Sequence, residues 1–229
     1  MTHKVTEMIS RNKLVYSVCN SKSMGSSLCY NVNFLETACH LFPWATMKLV
    51  RLRLKHLEPA LQQEKLNAHI IFLVRDPRGV MNSRGKTVQW CNSKDCYDPE
   101  LVCNDMDDDY TTALALQKQF PGKVHILRYE DLSLNPMNET RRLLNEIGLD
   151  FDRSMETFIK THTTKNLDKP WSTSRESAKR VTYWTTKLPE GKLTEIQSAC
   201  ENVMKKLGYI PVSSMSGLTV SDVLKPIPL

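Results

Sequence analysis

IIFLVRDPRGVMNSR, residues 70–84, decides the fold class. Its first five residues, Ile70 to Val74, form a continuous apolar run bounded by polar positions, the pattern of a strand buried on both faces of a parallel sheet. Asp76 and Pro77 then supply a helix cap and a first-turn proline, so the chain passes directly from strand to helix. A buried parallel strand delivers its carboxyl end to the crevice where α/β proteins bind ligands, and the helix that follows offers unpaired N–H groups and a positive dipole end. Arg75 stands at that exit. Its planar guanidinium suits two-point contact with a phosphate dianion, and Ser83, two turns into the helix, offers a hydroxyl from the same side. A purely structural alternative also fits: an Arg75–Asp76 ion pair at a strand end, with Ser83 and Arg84 on a solvated helix face.

Outward from this turn, Glu36 to about Asn67 reads as mostly helical, with Leu49, Leu52, Leu54, Leu57 and Leu61 near a 3.6-residue period and Pro59 breaking the run. Downstream, a helix is expected over Asp107–Gln119, its start lined by Asp105, Asp107, Asp108 and Asp109, which favour dipole capping over metal binding. Val124 to Leu127 reads as a second buried strand. Asn135 and Pro136 open a helix with Leu143, Leu144 and Ile147 inward and Gly148 as its stop, and a shorter helix spans Arg153 to Thr161. The last helix carries Leu193, Ile196, Cys200, Val203 or Met204, and Leu207 on one face and ends at Gly208. Strand, helix, strand, helix implies an α/β fold with a central parallel sheet flanked by helices. The expected organisation is an irregular segment over residues 1–28, one domain over 29–210 and a loose tail over 211–229.

The 229 residues have an ordinary globular composition, and 31 basic against 25 acidic side chains give a formal charge of +6, without a polybasic block. That sign suits anionic ligands but does not choose among nucleotide cofactors, acidic glycans and nucleic acid. A basic face interleaved with aromatics, as nucleic-acid binding needs, is not found, nor is the G-x-x-x-x-G-K-[ST] loop of a nucleotide kinase. The seven cysteines lack paired C-x-x-C spacing and a partner histidine, so disulfides of an oxidising lumen are the better reading than zinc; the odd number leaves at least one thiol free or paired outside the chain. No run approaches a membrane span, and residues 1–13 lack the apolar core of a signal peptide. Asn138–Thr140 is a glycosylation sequon.

Four segments, CHLFPWATMKLVRLRL (39–54), IIFLVRDPRGVMNSR (70–84), VHILRYEDLSLNP (124–136) and ACENVMKKLGY (199–209), resemble in order and spacing the Golgi carbohydrate sulfotransferases, most closely those that sulfate the 6-hydroxyl of N-acetylglucosamine, galactose or N-acetylgalactosamine. The resemblance covers about Cys29 to Tyr209 and implies the P-loop-NTPase-like sulfotransferase fold, incomplete at its amino terminus. It also implies 3'-phosphoadenosine-5'-phosphosulfate as co-substrate without a metal, a glycan acceptor on a glycoprotein or proteoglycan, and a Golgi-luminal location through an anchor not seen here.

By that resemblance Arg75 and Ser83 hold the donor's 3'-phosphate, and Arg175, in WSTSRESAKR (171–180), belongs to a late loop that closes over adenine or phosphate. An exposed helix start capped by Ser172 or Ser174 is the equal alternative for that loop. In LRYEDL (127–132) a structural pairing of Arg128 with Glu130 or Asp131 is favoured over catalysis. The family's 5'-phosphosulfate loop lies upstream of the R-D-P turn, and the local candidate is Gly25, Ser26 and Ser27, after the strand-like run Leu14–Cys19 and near Lys22. It lacks the family's arginine at the position of Ser23, so the chain is expected to be a fragment or alternative product. No catalytic base is assigned; His40, His56, His125 and His162 qualify by residue type alone. A non-catalytic isoform that binds nucleotide or a partner is the alternative function.

Overall fold

The computed structural model describes residues 13–20, 26–50, 52–87, 93–164 and 172–228 and divides the chain into two units, Met1–Arg51 and Leu52–Leu229. The division thus falls later than the junction at residue 28 read from the sequence. In the first unit, helix α1 (Lys13–Cys19) is tied by a Cys19–Cys29 disulfide to a 3-10 turn at Ser26–Tyr30. Helix α2 (Val32–His40) follows, its first turn capped by Asn31, whose side chain accepts from the Phe34 N–H at 3.0 Å. The run Leu14–Cys19 is therefore helical, not strand-like.

Leu49 and Leu52 do not form the expected helix either, since residues 44–50 have neither helix nor strand and Arg53 is extended; from Leu54 the expected helix is reduced to a 3-10 turn at Leu54–His56 and one short turn of α-helix at Glu58–Leu61. Leu52, Arg53, Leu54 and Lys55 alternate as well as they spiral, so local pattern does not discriminate. A distant contact decides at the second unit's start. The Arg53 guanidinium reaches Asp105, Asp108 and Asp109, and the Leu54 N–H donates to Asp109 Oδ1 at 3.0 Å.

Strand β1 (Ile70–Val74) has the bounds read from the sequence and leads into helix α3 (Pro77–Thr87). Helix α4 (Pro99–Gln119) begins two turns before its expected start, because Asp98 and Pro99 cap it; Asp98 accepts from the Glu100 and Leu101 N–H groups. The acidic cluster therefore lies inside the helix as the receptor for Arg53, rather than at the dipole's end. Strand β2 (Val124–Arg128) pairs in parallel with β1, Ile70 opposite Val124 through Val74 opposite Arg128, which produces the predicted parallel α/β sheet.

Helices α5 (Tyr129–Leu134), α6 (Pro136–Glu146) and α7 (Arg153–Thr163) follow β2, and α8 (Glu190–Ala199) and α9 (Glu201–Leu207) meet at Cys200. The single last helix expected from periodicity is thus broken, yet its apolar stripe is intact. Leu193, Ile196, Cys200, Val203, Met204 and Leu207 are all buried with Val74, Tyr110 and Trp184 in the larger core. A Cys103–Cys200 disulfide staples α4 to the α8–α9 junction across a separation of 97 residues. Loops of that size correspond to about 4–5 kcal/mol in the chain-entropy account.

Two expectations about burial change. β1 is not covered on both faces: Ile71 and Leu73 are 45% and 56% exposed, while Val74, on the opposite face, is buried. Residues 211–228 are not a loose tail either. Ile210 N–H donates to Val223 O, Lys225 N–H to Gly208 O, and Val212 exchanges two hydrogen bonds with the Gln197 amide, so the chain folds back beside residues 208–210. Gly208 permits the close approach, for at its φ of 76° a Cβ would stand 2.5 Å from Lys225 O and 2.9 Å from the Arg128 guanidinium.

Candidate functional site

The β1–α3 turn is set by a buried arginine that the sequence reading passed over. Arg78 is fully buried, as is its partner Asp76. Its Nε and Nη2 donate to the Asp76 carboxylate at 3.0 and 2.7 Å, Nη1 donates to Ile210 O at 2.8 Å and Gln197 Oε1 at 3.1 Å, and the guanidinium lies 4.2 Å from the centre of the Trp184 ring. Asp76 also accepts from the Arg78 N–H at 2.9 Å, closing the first turn of α3. The structural ion pair at this strand end is therefore Asp76–Arg78, and it leaves Arg75 out. The residue at the α3 amino end also takes up part of the helix's donor set: the first-turn N–H of Arg78 donates to the Asp76 carboxylate and that of Val80 to Asp76 O, so those two are not available to an anion.

Arg75 is half-buried and has no hydrogen bond or ion pair among the described residues. Its side chain crosses the first turn of α3, Nε lying 3.2 Å from where a Cβ on Gly79 would be, and its guanidinium stacks at 4.4 Å on the Tyr129 ring. Ser83 is one helical turn beyond Gly79, so Arg75 and Ser83 share a face of α3. The Ser83 hydroxyl likewise has no partner among the described residues.

The LRYEDL segment divides into braces and a platform. Arg128, buried, pairs with Asp131 through Nε at 2.9 Å and Nη2 at 2.6 Å, and its Nη1 donates to Leu207 O and Lys225 O, both at 2.7 Å. Of the two partners left open by the sequence, Asp131 is the one used. Glu130 is 2% exposed; Oε1 accepts from the Asp76 N–H at 3.1 Å and Oε2 from the Tyr209 hydroxyl at 2.8 Å. Burial, followed by the nearby Asp76 charge, pushes the Glu130 carboxyl up to about 7. Burial and the Glu130 charge also push the Tyr209 hydroxyl well above the ordinary phenol range. Tyr129, between the two braces, carries the stack on Arg75.

The late loop is fastened to both α7 and α5. Arg175 N–H donates to His162 O at 2.8 Å, Ser174 Oγ to Thr161 O at 3.1 Å, and Ser177 Oγ to Ser133 O at 3.1 Å. Ser133 is one turn from Tyr129 on α5, so the loop bearing Arg175 is fastened to the element that supports Arg75. Trp171 lies outside the described residues, as do Gly25, Lys22 and Ser23 of the candidate sulfate loop; Ser26 and Ser27 begin the 3-10 turn of the first unit.

Two of the four candidate histidines have contacts of their own. His125 sits at the amino end of the sheet, opposite Arg75, between His69 Nδ1 at 3.1 Å and Glu146 Oε2 at 3.0 Å, and His162 stacks on Phe158. An open depression of about 530 Å³ flanks β2; of its three lining cations, Arg128 is paired with Asp131 and Arg142 with Glu139 and Glu146, and Lys225 is the third. Among the described residues no group of three or more His, Cys, Asp or Glu side chains converges as metal ligands.

Residues 60–153 match the sulfotransferase family, a segment that contains β1, the R-D-P turn, β2 and LRYEDL. Carbohydrate sulfotransferase 1 of Danio rerio is 28% identical over 203 residues, covering 80% of this chain and 48% of the relative. Carbohydrate sulfotransferase 4 of Mus musculus is 30% identical over 203 residues, with 80% and 52% covered, and carbohydrate sulfotransferase 6 of Homo sapiens is 29% identical over 226 residues, with 85% and 56% covered. The chain spans about half the length of the curated relatives it matches.

Proposed function

From the match of residues 60–153 to the sulfotransferase family and the likeness to carbohydrate sulfotransferases, we propose that the chain is a sulfotransferase that transfers a sulfuryl group from 3'-phosphoadenosine-5'-phosphosulfate to a glycan hydroxyl, the 6-hydroxyl of an N-acetylglucosamine, galactose or N-acetylgalactosamine residue. One observation carries the donor half of this reading. Arg75, at the carboxyl end of β1, presents a guanidinium that no carboxylate neutralises among the described residues, on the same helix face as the unpartnered Ser83 hydroxyl. The two buried arginines beside it are committed, Arg78 to Asp76 and Arg128 to Asp131. Arg75 and Ser83 accordingly hold the donor's 3'-phosphate, Arg75 by two N–H donors and Ser83 by its hydroxyl. Arg175, on the loop fastened to α5, is the proposed contact on the nucleotide's other side.

In the transfer, the acceptor oxygen bonds to sulfur as the bond from sulfur to the 5'-phosphate oxygen breaks, and the hydroxyl proton passes to a base. Charge develops on the departing phosphate oxygen, where cationic groups serve without a metal. The disulfides and the exposed sequon residue Asn138 support a luminal, glycoprotein setting, and no described helix is long and apolar enough to cross a membrane.

A second reading, nucleotide binding without transfer, is favoured by one feature: the run before Gly25 is the helix α1, whereas a phosphosulfate loop needs a strand to present it. Titration with 3'-phosphoadenosine-5'-phosphate and transfer of labelled sulfate to sugar acceptors separate the two. Binding lost in Arg75→Ala together with sulfate transfer supports the enzyme, the same binding without transfer supports the second reading, and no binding refutes the assignment of the turn.

A further inference from the structure

Building on Arg75 as the phosphate-binding cation, we propose that Tyr129 is its positioning residue, an aromatic platform that fixes the guanidinium for the donor's 3'-phosphate. The stack at 4.4 Å, with the backbone at Gly79 on its path, is what orders the Arg75 side chain among the described residues. A carboxylate partner would order it equally well but would compete with the phosphate for the same N–H donors. An aromatic ring uses the face of the guanidinium and leaves its edge, where those donors lie, open to the ligand.

Tyr129 is itself held on both sides in sequence. Arg128 is anchored to Asp131 and to the Leu207 and Lys225 carbonyls, and Glu130 accepts from the Asp76 N–H. That last bond ties the start of α5 to the residue next to Arg75, so the distance between ring and guanidinium is set by the scaffold rather than by the two side chains. In this account the Y-E-D of LRYEDL has two tasks: Glu130 and Asp131 brace the strand ends, and Tyr129 orients the arginine.

The test measures affinity of the full chain for 3'-phosphoadenosine-5'-phosphate and for adenosine 5'-phosphate, which lacks the 3'-phosphate. Tyr129→Leu and Tyr129→Met, which keep apolar bulk without a π face, are expected to weaken the first ligand roughly 3- to 30-fold, the range of a cation–π contact, and leave the second unchanged. Tyr129→Phe should bind both as the parent does. Adding Tyr129→Leu to Arg75→Ala should cost nothing further for the 3'-phosphorylated ligand, because the residue acts through Arg75. Parental affinity in both Leu and Met variants, equal loss for both ligands, or additive effects in the double variant would each overturn the positioning role. If Arg75→Ala retains the preference for the 3'-phosphate, or the chain binds neither ligand, it is the phosphate assignment itself that fails, and the platform with it.

Discussion

Replacing Arg78 by alanine removes the side chain on which the β1–α3 turn is built, and the cost can be worked from its contacts. The Asp76 carboxylate, about as buried as Arg78 itself, would lose donors at 3.0 and 2.7 Å and keep only backbone partners. Breaking a buried pair from one side costs roughly 3–5 kcal/mol, because the remaining charge stays out of water unpaired. The Ile210 carbonyl loses its donor at 2.8 Å as well, worth about 1 kcal/mol. A total of about 4–6 kcal/mol is a large share of the roughly 5–15 kcal/mol typical of a domain. With a urea dependence of about 1–3 kcal/mol per molar, the unfolding midpoint should fall by about 2 M. The discriminating companion is Asp76→Asn with Arg78→Met, which removes both charges while keeping volume and the Asp76-type cap; it should lose markedly less than the single variant. Equilibrium urea unfolding followed by circular dichroism reads both. A loss below about 1 kcal/mol in Arg78→Ala, or a double variant as unstable as the single, would refute the hub.

Other outcomes follow from the same network. Because Glu130 titrates near 7 in the folded chain and near 4.5 unfolded, its protonated form favours the fold; that contribution is complete below pH 4.5 and is lost as pH rises through 7. Glu130→Gln should therefore remove, on the order of 3 kcal/mol, a decline in stability between these pH values, and an unchanged pH slope in the variant would contradict it. Gly208→Ala should destabilise strongly, by more than about 3 kcal/mol, since its Cβ would meet backbone oxygens at 2.5 and 2.8 Å; thermal melting checks this. Cys103→Ser with Cys200→Ser should cost about 2–5 kcal/mol, read as a lower urea midpoint that reducing agent lowers no further through this pair.

The two strands, their parallel α/β setting and the strand-to-helix turn were legible because each leaves a local signal, such as five apolar residues between polar ones, then a cap and a proline; the register of the pairing was not. Arg75 and Ser83 could be named, and placed on one helix face, from spacing alone. What local pattern does not hold is which arginine a carboxylate selects. Asp76 takes Arg78 rather than Arg75 because Gln197, Ile210 and Val223 complete the burial of Arg78, and those residues are more than 100 positions away. The break in the expected helix at Arg53 has the same origin, since Arg53 is drawn out to three aspartates on α4. Tyr129 carried a visible signal, an aromatic immediately after a strand's last residue, but its significance depends on Arg75 lying opposite, which the parallel pairing of β1 with β2 alone reveals.

The returning segment beyond Gly208 bears on how the protein is made. Arg78 and Arg128 receive backbone acceptors from residues synthesised 132 and 97 positions later, at Ile210 and Lys225. On the ribosome, then, both strands and the turn between β1 and α3 emerge long before the groups that allow their arginines to be buried. The nascent chain must wait with this end of the sheet open, and the β1–α3 turn closes only once residues 208–225 have left the exit tunnel.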